Sequence, residues 1–130
     1  MGLQVWFVEK ATTDLADTIG DRVYYMRSPK QPALPYLVYK EISGPIMGMT
    51  HDGDGGTGEL AHVRLQVDCM AATSAAARNL AIDLMKAFHQ TRDADHDIFS
   101  CFGVNRMSVF DAELMAEKQI VDFMITCKLS

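Results

Sequence analysis

Between Ala61 and Cys69 the chain alternates strictly. Ala61, Val63, Leu65, Val67 and Cys69 share one side of an extended strand, and His62, Arg64, Gln66 and Asp68 the other. A second run repeats this near the C-terminus, where Val121, Phe123, Ile125, Cys127 and Leu129 oppose Asp122, Met124, Thr126 and Lys128. Two such strands require a sheet with one apolar face, and that face needs a cover. The cover is also written in the sequence. From a cap at Thr73 or Ser74 to Gln90, residues Ala77, Leu80, Ala81, Leu84 and Phe88 recur at helical spacing, with Arg78, Asn79, Asp83 and Lys86 facing away.

The first segment supplies a second apolar stripe: Leu3, Phe7, Ala11, Leu15 and Ile19 stand four residues apart and predict a helix over Leu3 to Ile19, although Val5 to Val8 alone would also suit a strand. Gly20 suits the helix stop. Arg22 to Met26 reads as a short extended piece, and Ser28 to Pro35, with Pro29, Pro32 and Pro35, as a surface loop. Tyr36 to Ser43 reads as a strand. Gly44 to Gly58 holds six of the nine glycines, so it is expected to be a mobile loop. Thr91 to Asp97 reads as a polar loop, Val104 to Phe110 as extended, and Asp111 to Lys118 as more helical than a plain hairpin turn. The expected architecture is a single α+β domain over residues 1–130, a mostly antiparallel four- to five-stranded sheet with two helices packed on one face.

With 130 residues, such a domain buries roughly two-thirds of its unfolded surface and needs no metal or disulfide to hold a core. The net charge of −5 disfavours tight gripping of phosphate backbones. No apolar run is long enough to span a bilayer, and the first residues lack the pattern of a secretory signal. Cys69, Cys101 and Cys127 have no C-x-x-C spacing and are expected to be buried free thiols.

Chemistry-bearing motifs are few. Counted from Asp52, the twelfth position of a calcium loop falls on Val63 inside the strand, where a bidentate Glu would be needed. The glycine loop leads into a strand without a Lys-Ser/Thr pair, so it is no phosphate cradle. His51, His62, His89 and His96 lack zinc-ligand spacing; His89, Asp93 and His96 near a helix end read as solvated polar positions. No G-x-S-x-G elbow occurs. A metal- or ligand-binding domain using His51, Asp52, Asp54 and His62 is the rival reading, and a hydrolase whose site closes only in the fold is another.

Charge and methionine placement are more informative. Every charged residue from Arg22 to Lys40 is basic, namely Arg22, Arg27, Lys30 and Lys40. The last third is enriched in acid: Asp93, Asp95, Asp97, Asp111, Glu113, Glu117 and Asp122. Complementary faces on one subunit can meet head to tail. Met47 and Met49, in a segment with no core to fill, and Phe102 are the candidate apolar centre of such a contact. Met85 and Met124 are expected to fill gaps in the core.

The order of pieces resembles a known family. An N-terminal helix is followed by Ile-Gly-Asp-Arg-Val-Tyr (Ile19 to Tyr24), a proline-bearing loop and Leu-Pro-Tyr-Leu-Val-Tyr (Leu34 to Tyr39). A variable loop, Val-Arg-Leu-Gln-Val-Asp-Cys (Val63 to Cys69) and an Ala-rich helix with Arg78 complete the series. Together they resemble the tail completion proteins of long-tailed bacteriophages, also called tail terminators or tail-to-head joining proteins, from about Leu3 to Gln90. The resemblance implies a non-enzymatic structural protein of the virion tail, assembled in the host cytoplasm, with no catalytic residue, metal or cofactor. It implies a ring, typically hexameric, that caps the head-proximal end of the tail tube. Its partners would be copies of itself, the tail tube protein and a head-completion or connector protein, with DNA passing through unheld and no membrane.

Asp54→Ala is expected to leave the melting temperature unchanged, and added Ca²⁺ or Zn²⁺ to leave it unshifted, since only an ion that binds the folded state raises it. Differential scanning fluorimetry checks both.

Overall fold

In the computed structural model, which describes residues 2–30, 33–42, 59–112 and 115–129, the chain forms one six-stranded mixed sheet with helices on one face. The elements are α1 (Gly2–Asp14), α2 (Ala16–Ile19), β1 (Val23–Tyr25), β2 (Tyr36–Ile42), β3 (Glu59–Ala71) and α3 (Ser74–Phe88). Then follow β4 (Thr91–Asp93), a 3₁₀ turn (Ala94–His96), β5 (Ile98–Asp111) and β6 (Ala116–Leu129). Sheet order is β1-β2-β3-β6-β5-β4, with β1 parallel to β2 and every other pair antiparallel.

The two alternating runs are sheet neighbours: β3 and β6 pair over thirteen residues with no shift of register. Their apolar sides meet α3, whose Ala77, Leu80, Ala81, Leu84 and Phe88 are buried. Thr73 is the cap, its hydroxyl accepting the Ala76 N–H at 3.1 Å. Phe88 joins the layers. Its ring lies 5.3 Å from Trp6 and 5.0 Å from Phe7 of α1, and 5.7 Å from Phe123 of β6.

The structure corrects several expectations. The Leu3 to Ile19 helix is two helices broken at Leu15, and the Thr12 hydroxyl bonds back to the Val8 carbonyl at 2.7 Å just before the break. The apolar stripe survives because the Ile19 N–H still reaches the Leu15 carbonyl. Three helices, rather than two, therefore pack on the sheet.

Thr91 to Asp97 is not a loop. Thr91 and Asp93 pair with Cys101 and Ile98, which adds the sixth strand. Extended structure starts at Ile98, well before Val104, because two register shifts, between Ile98 and Ser100 and between Gly103 and Asn105, disguise the alternation of β5. Among the described residues of Asp111 to Lys118 none is helical: β5 runs to Asp111 and β6 begins at Ala116, so the cross-strand ladder overrides helix-forming side chains. Met85 packs against the core, whereas Met124 stands exposed on the opposite face. The expectation for Gly44 to Gly58 lies outside the described residues.

Val67 and Leu84 are fully enclosed between sheet and helix. Val67→Asp and Leu84→Asp each place an unpaired charge there, at a cost of several kcal/mol against a total stability of about 5–15 kcal/mol. Both variants are expected to lack a cooperative thermal transition by circular dichroism.

Candidate interaction surface

The helices leave the other face of the sheet open. At one end of it Tyr36, Val38, Met70 and Ala116 bury one another, with Tyr24 packed alongside. Beyond them lies a polar strip. Arg64 Nη2 holds the buried Asp122 carboxylate at 2.8 Å, and the His62 ring meets the Thr126 hydroxyl at 2.9 Å. Lys118 Nζ stands between Asp111, at 3.8 Å, and Asp68, at 4.0 Å. Burial raises the Asp68 carboxyl above the ordinary carboxylate range, opposed by the charges of Lys118 and Lys40.

The basic residues proposed from sequence lie at the β1–β2 end of the sheet. Arg22 is occupied by its own fold, donating from Nε to the Pro35 carbonyl at 2.8 Å and from Nη2 to the Thr18 carbonyl at 3.2 Å. Arg27 and Lys30 are exposed, and Lys40 is half-buried on β2. The acidic residues divide. Asp93, Asp95 and Asp97 gather around the 3₁₀ turn at the opposite end of the sheet, whereas Asp122 is internal. Phe102 is exposed on β5, edge-on to His89 at 5.8 Å. Met47, Met49 and Glu113 lie outside the described residues.

The metal and catalytic readings gain no geometry. Among the described residues no group of three His, Cys, Asp or Glu side chains converges on a metal position. His89 Nδ1 accepts the Gly103 N–H at 3.0 Å, whereas His96 sits 3.1 Å from Asp93 and 3.5 Å from Glu9. The three do not meet. His51, Asp52 and Asp54 of the rival loop site lie outside the described residues. All three cysteines are buried free thiols; burial pushes Cys69 and Cys127 up, and Cys101 up to about 12.

One feature of the surface escaped the sequence reading. β4 covers the outer side of β5 only from Ile98 to Cys101. From Phe102 to Asp111 no strand lies on that side among the described residues, and Val104, Met107, Val109 and Phe110 are all exposed there. The available signal was an extended segment with apolar residues of both parities, which a one-sided strand has no use for.

A family model for Tail completion protein gp17 matches residues 9–128. The chain belongs to this family. A solved structure, a chain from the virion of a native gene transfer agent particle, shares the fold with a TM-score of 0.71 at 14% identity, covering 98% of this chain and 96% of that one. A search of curated proteins finds no match. As a tail completion protein the chain is a structural component of a phage-like virion, and the α+β fold just described is its framework.

Asp68 gives this framework a pH dependence. A carboxyl raised by burial binds its proton more tightly in the folded chain than in the unfolded one, so stability falls as pH rises from the ordinary carboxylate range through the folded pKa. Asp68→Asn removes that loss. Thermal melts at pH 4 and pH 7 are expected to show the variant gaining on the wild type at the higher pH.

Proposed function

We propose that this tail completion protein closes the head-proximal end of a long tail tube as a ring of six copies, stops tube growth and presents the joint to the head. Its neighbours are the last ring of tube protein on one side and a head-completion or connector protein on the other. Family membership supports the tail role. The ring reading rests on one observation: the ends of the sheet are unlike, with Arg27 and Lys30 beside β1 and Asp93, Asp95 and Asp97 around the turn after β4. Unlike surfaces that recognise each other make a repeated head-to-tail contact, which closes into a ring when the rotation permits. Opposite charges bring the copies together and set their register.

The net charge of −5 suits a ring through which DNA passes unheld. Lys40 on β2 contributes to the basic end, Phe102 to the apolar part of the contact, and Met47 and Met49 are proposed to join it. Arg22 shapes the basic end by holding the Pro35 carbonyl.

Reversing Arg27 and Lys30 to Glu is expected to raise the concentration needed for assembly by roughly tenfold while leaving the monomer folded, at surface-pair strengths of about 0.2–1 kcal/mol each. Added salt acts in the same direction on the wild type. Light scattering over a salt series checks this; identical assembly of both proteins at low salt contradicts it.

A further inference from the structure

On the helical side of the sheet, α3 and the part of β5 beyond Gly103 leave a groove between them. Ile82, Met85, Lys86 and His89 line it from the helix side and Arg106 from the strand, around a volume of about 330 Å³. Arg78 stands one turn before Ile82 on the same stripe of α3. The floor is aliphatic. Ile82 and Met85 are half-buried, and the Met85 methyl lies over Gly103, where a Cβ would come within 2.5 Å of it.

Three cations stand around this floor. Arg78, Lys86 and Arg106 are exposed, and none of them makes an ion pair among the described residues. The one carboxylate of α3, Asp83, lies on the other flank of the helix, in a hollow with Asp14 and Asp17 that Lys86 also borders. His89 adds a donor. Its Nδ1 accepts the Gly103 N–H at 3.0 Å, so the ring proton is on Nε2, turned away from that amide. Elsewhere the subunit spends cations on its own carboxylates, Lys10 on Asp14 and Arg64 on Asp122. In a chain of net charge −5, three unspent cations beside one apolar floor are a local reversal of sign.

We infer that the groove between α3 and β5 is the docking site for an acidic segment of another virion protein, one in which carboxylates flank a large aliphatic side chain. The aliphatic group enters against Ile82 and Met85, and the carboxylates meet Arg106, Lys86 and the Nε2–H of His89. Arg106 offers the planar fork that matches a carboxylate. Charge excludes a basic partner. The floor is wrong for nucleic acid, which stacks its bases on aromatic rings and needs a basic path that follows its backbone. A second copy is not the occupant, because the ring reading already sets its acidic turn against Arg27 and Lys30. The choice of a different protein rests on that reading; the chemistry of the groove does not.

Methyl NMR of the full chain, with ¹³C in the Ile and Met methyls, reads the floor directly. Loss of a signal in Met85→Leu identifies Met85, and Ile82→Val identifies Ile82. The probe is a short acetylated peptide alternating Asp and Leu. It should shift both signals along a saturating curve and leave that of Met124, on the opposite face, in place, whereas a peptide alternating Lys and Leu should shift neither. Lys86→Glu with Arg106→Glu should weaken binding by roughly tenfold or more, with the fold intact by circular dichroism and assembly unchanged by light scattering. If that double variant does not melt cooperatively, Arg106→Gln alone carries the same test. No shift at millimolar Asp and Leu peptide overturns the inference, as do equal shifts with the Lys and Leu peptide or equal binding of a peptide alternating Asp and Ser. Tighter binding of an oligothymidylate assigns the groove to nucleic acid and overturns it too. A double variant that is folded but no longer assembles makes the groove a contact between copies, which overturns the inference while the ring stands. A wild type that stays monomeric at low salt overturns the ring reading, and the peptide titration still decides the groove.

Discussion

The unbroken pairing of β3 with β6 is the constraint on which the rest of the subunit depends. With thirteen residue pairs in one register, every alternate side chain of both strands is committed to one face, and a slip of one residue would turn the whole apolar set to solvent. That commitment gives α3 an apolar floor. Phe88 stands on it against Phe123 and meets Trp6 and Phe7, and Phe7 also lies 4.9 Å from Tyr39 of β2, so the N-terminal helix is fastened both through α3 and directly to the sheet. The core uses one face of the sheet almost entirely. Outward-facing residues are left to secure themselves by ion pairs, as Arg64 does with Asp122, or to remain available.

What was legible in the sequence follows from how regular each pattern is. β3, β6 and α3 stand out because their periods of 2 and 3.6 run without interruption, and the N-terminal stripe is legible even though Thr12 and the residues after it break the helix under it. β5 was half legible. Its two register shifts change the parity of the buried positions, so Ile98 and Cys101 share no alternation with the residues after Gly103. β4 is three residues long and polar, and only its pairing with β5 makes it a strand. The segment after Asp111 has helix-forming side chains, but local preference is worth less than the ladder through Lys118 and Gln119.

The surface was less legible than the fold. Segregated charge could be read along the chain, and the sheet order places Arg27 and Lys30 and Asp93, Asp95 and Asp97 toward opposite edges. Which charges remain available could not be read. Arg22 is spent on the Pro35 carbonyl and Asp122 on Arg64, and both outcomes depend on partners brought from afar by the fold. Nor does a Met announce a left-handed backbone, so the exposed Met26 and Met115 emerge only in three dimensions.

Fold, family and surface describe a subunit whose core is complete under its helices and whose sheet is unfinished at both ends. The central claim is that those ends are finished by like subunits at one end of a tail tube. Electron cryomicroscopy of tails assembled with the tagged protein tests it most directly. The account predicts one ring of tag density at the head-proximal end of each tail, and headless tails of uncontrolled length when the protein is left out. Tag density spread along the tube, or tails that stop and join heads normally without the protein, would contradict it.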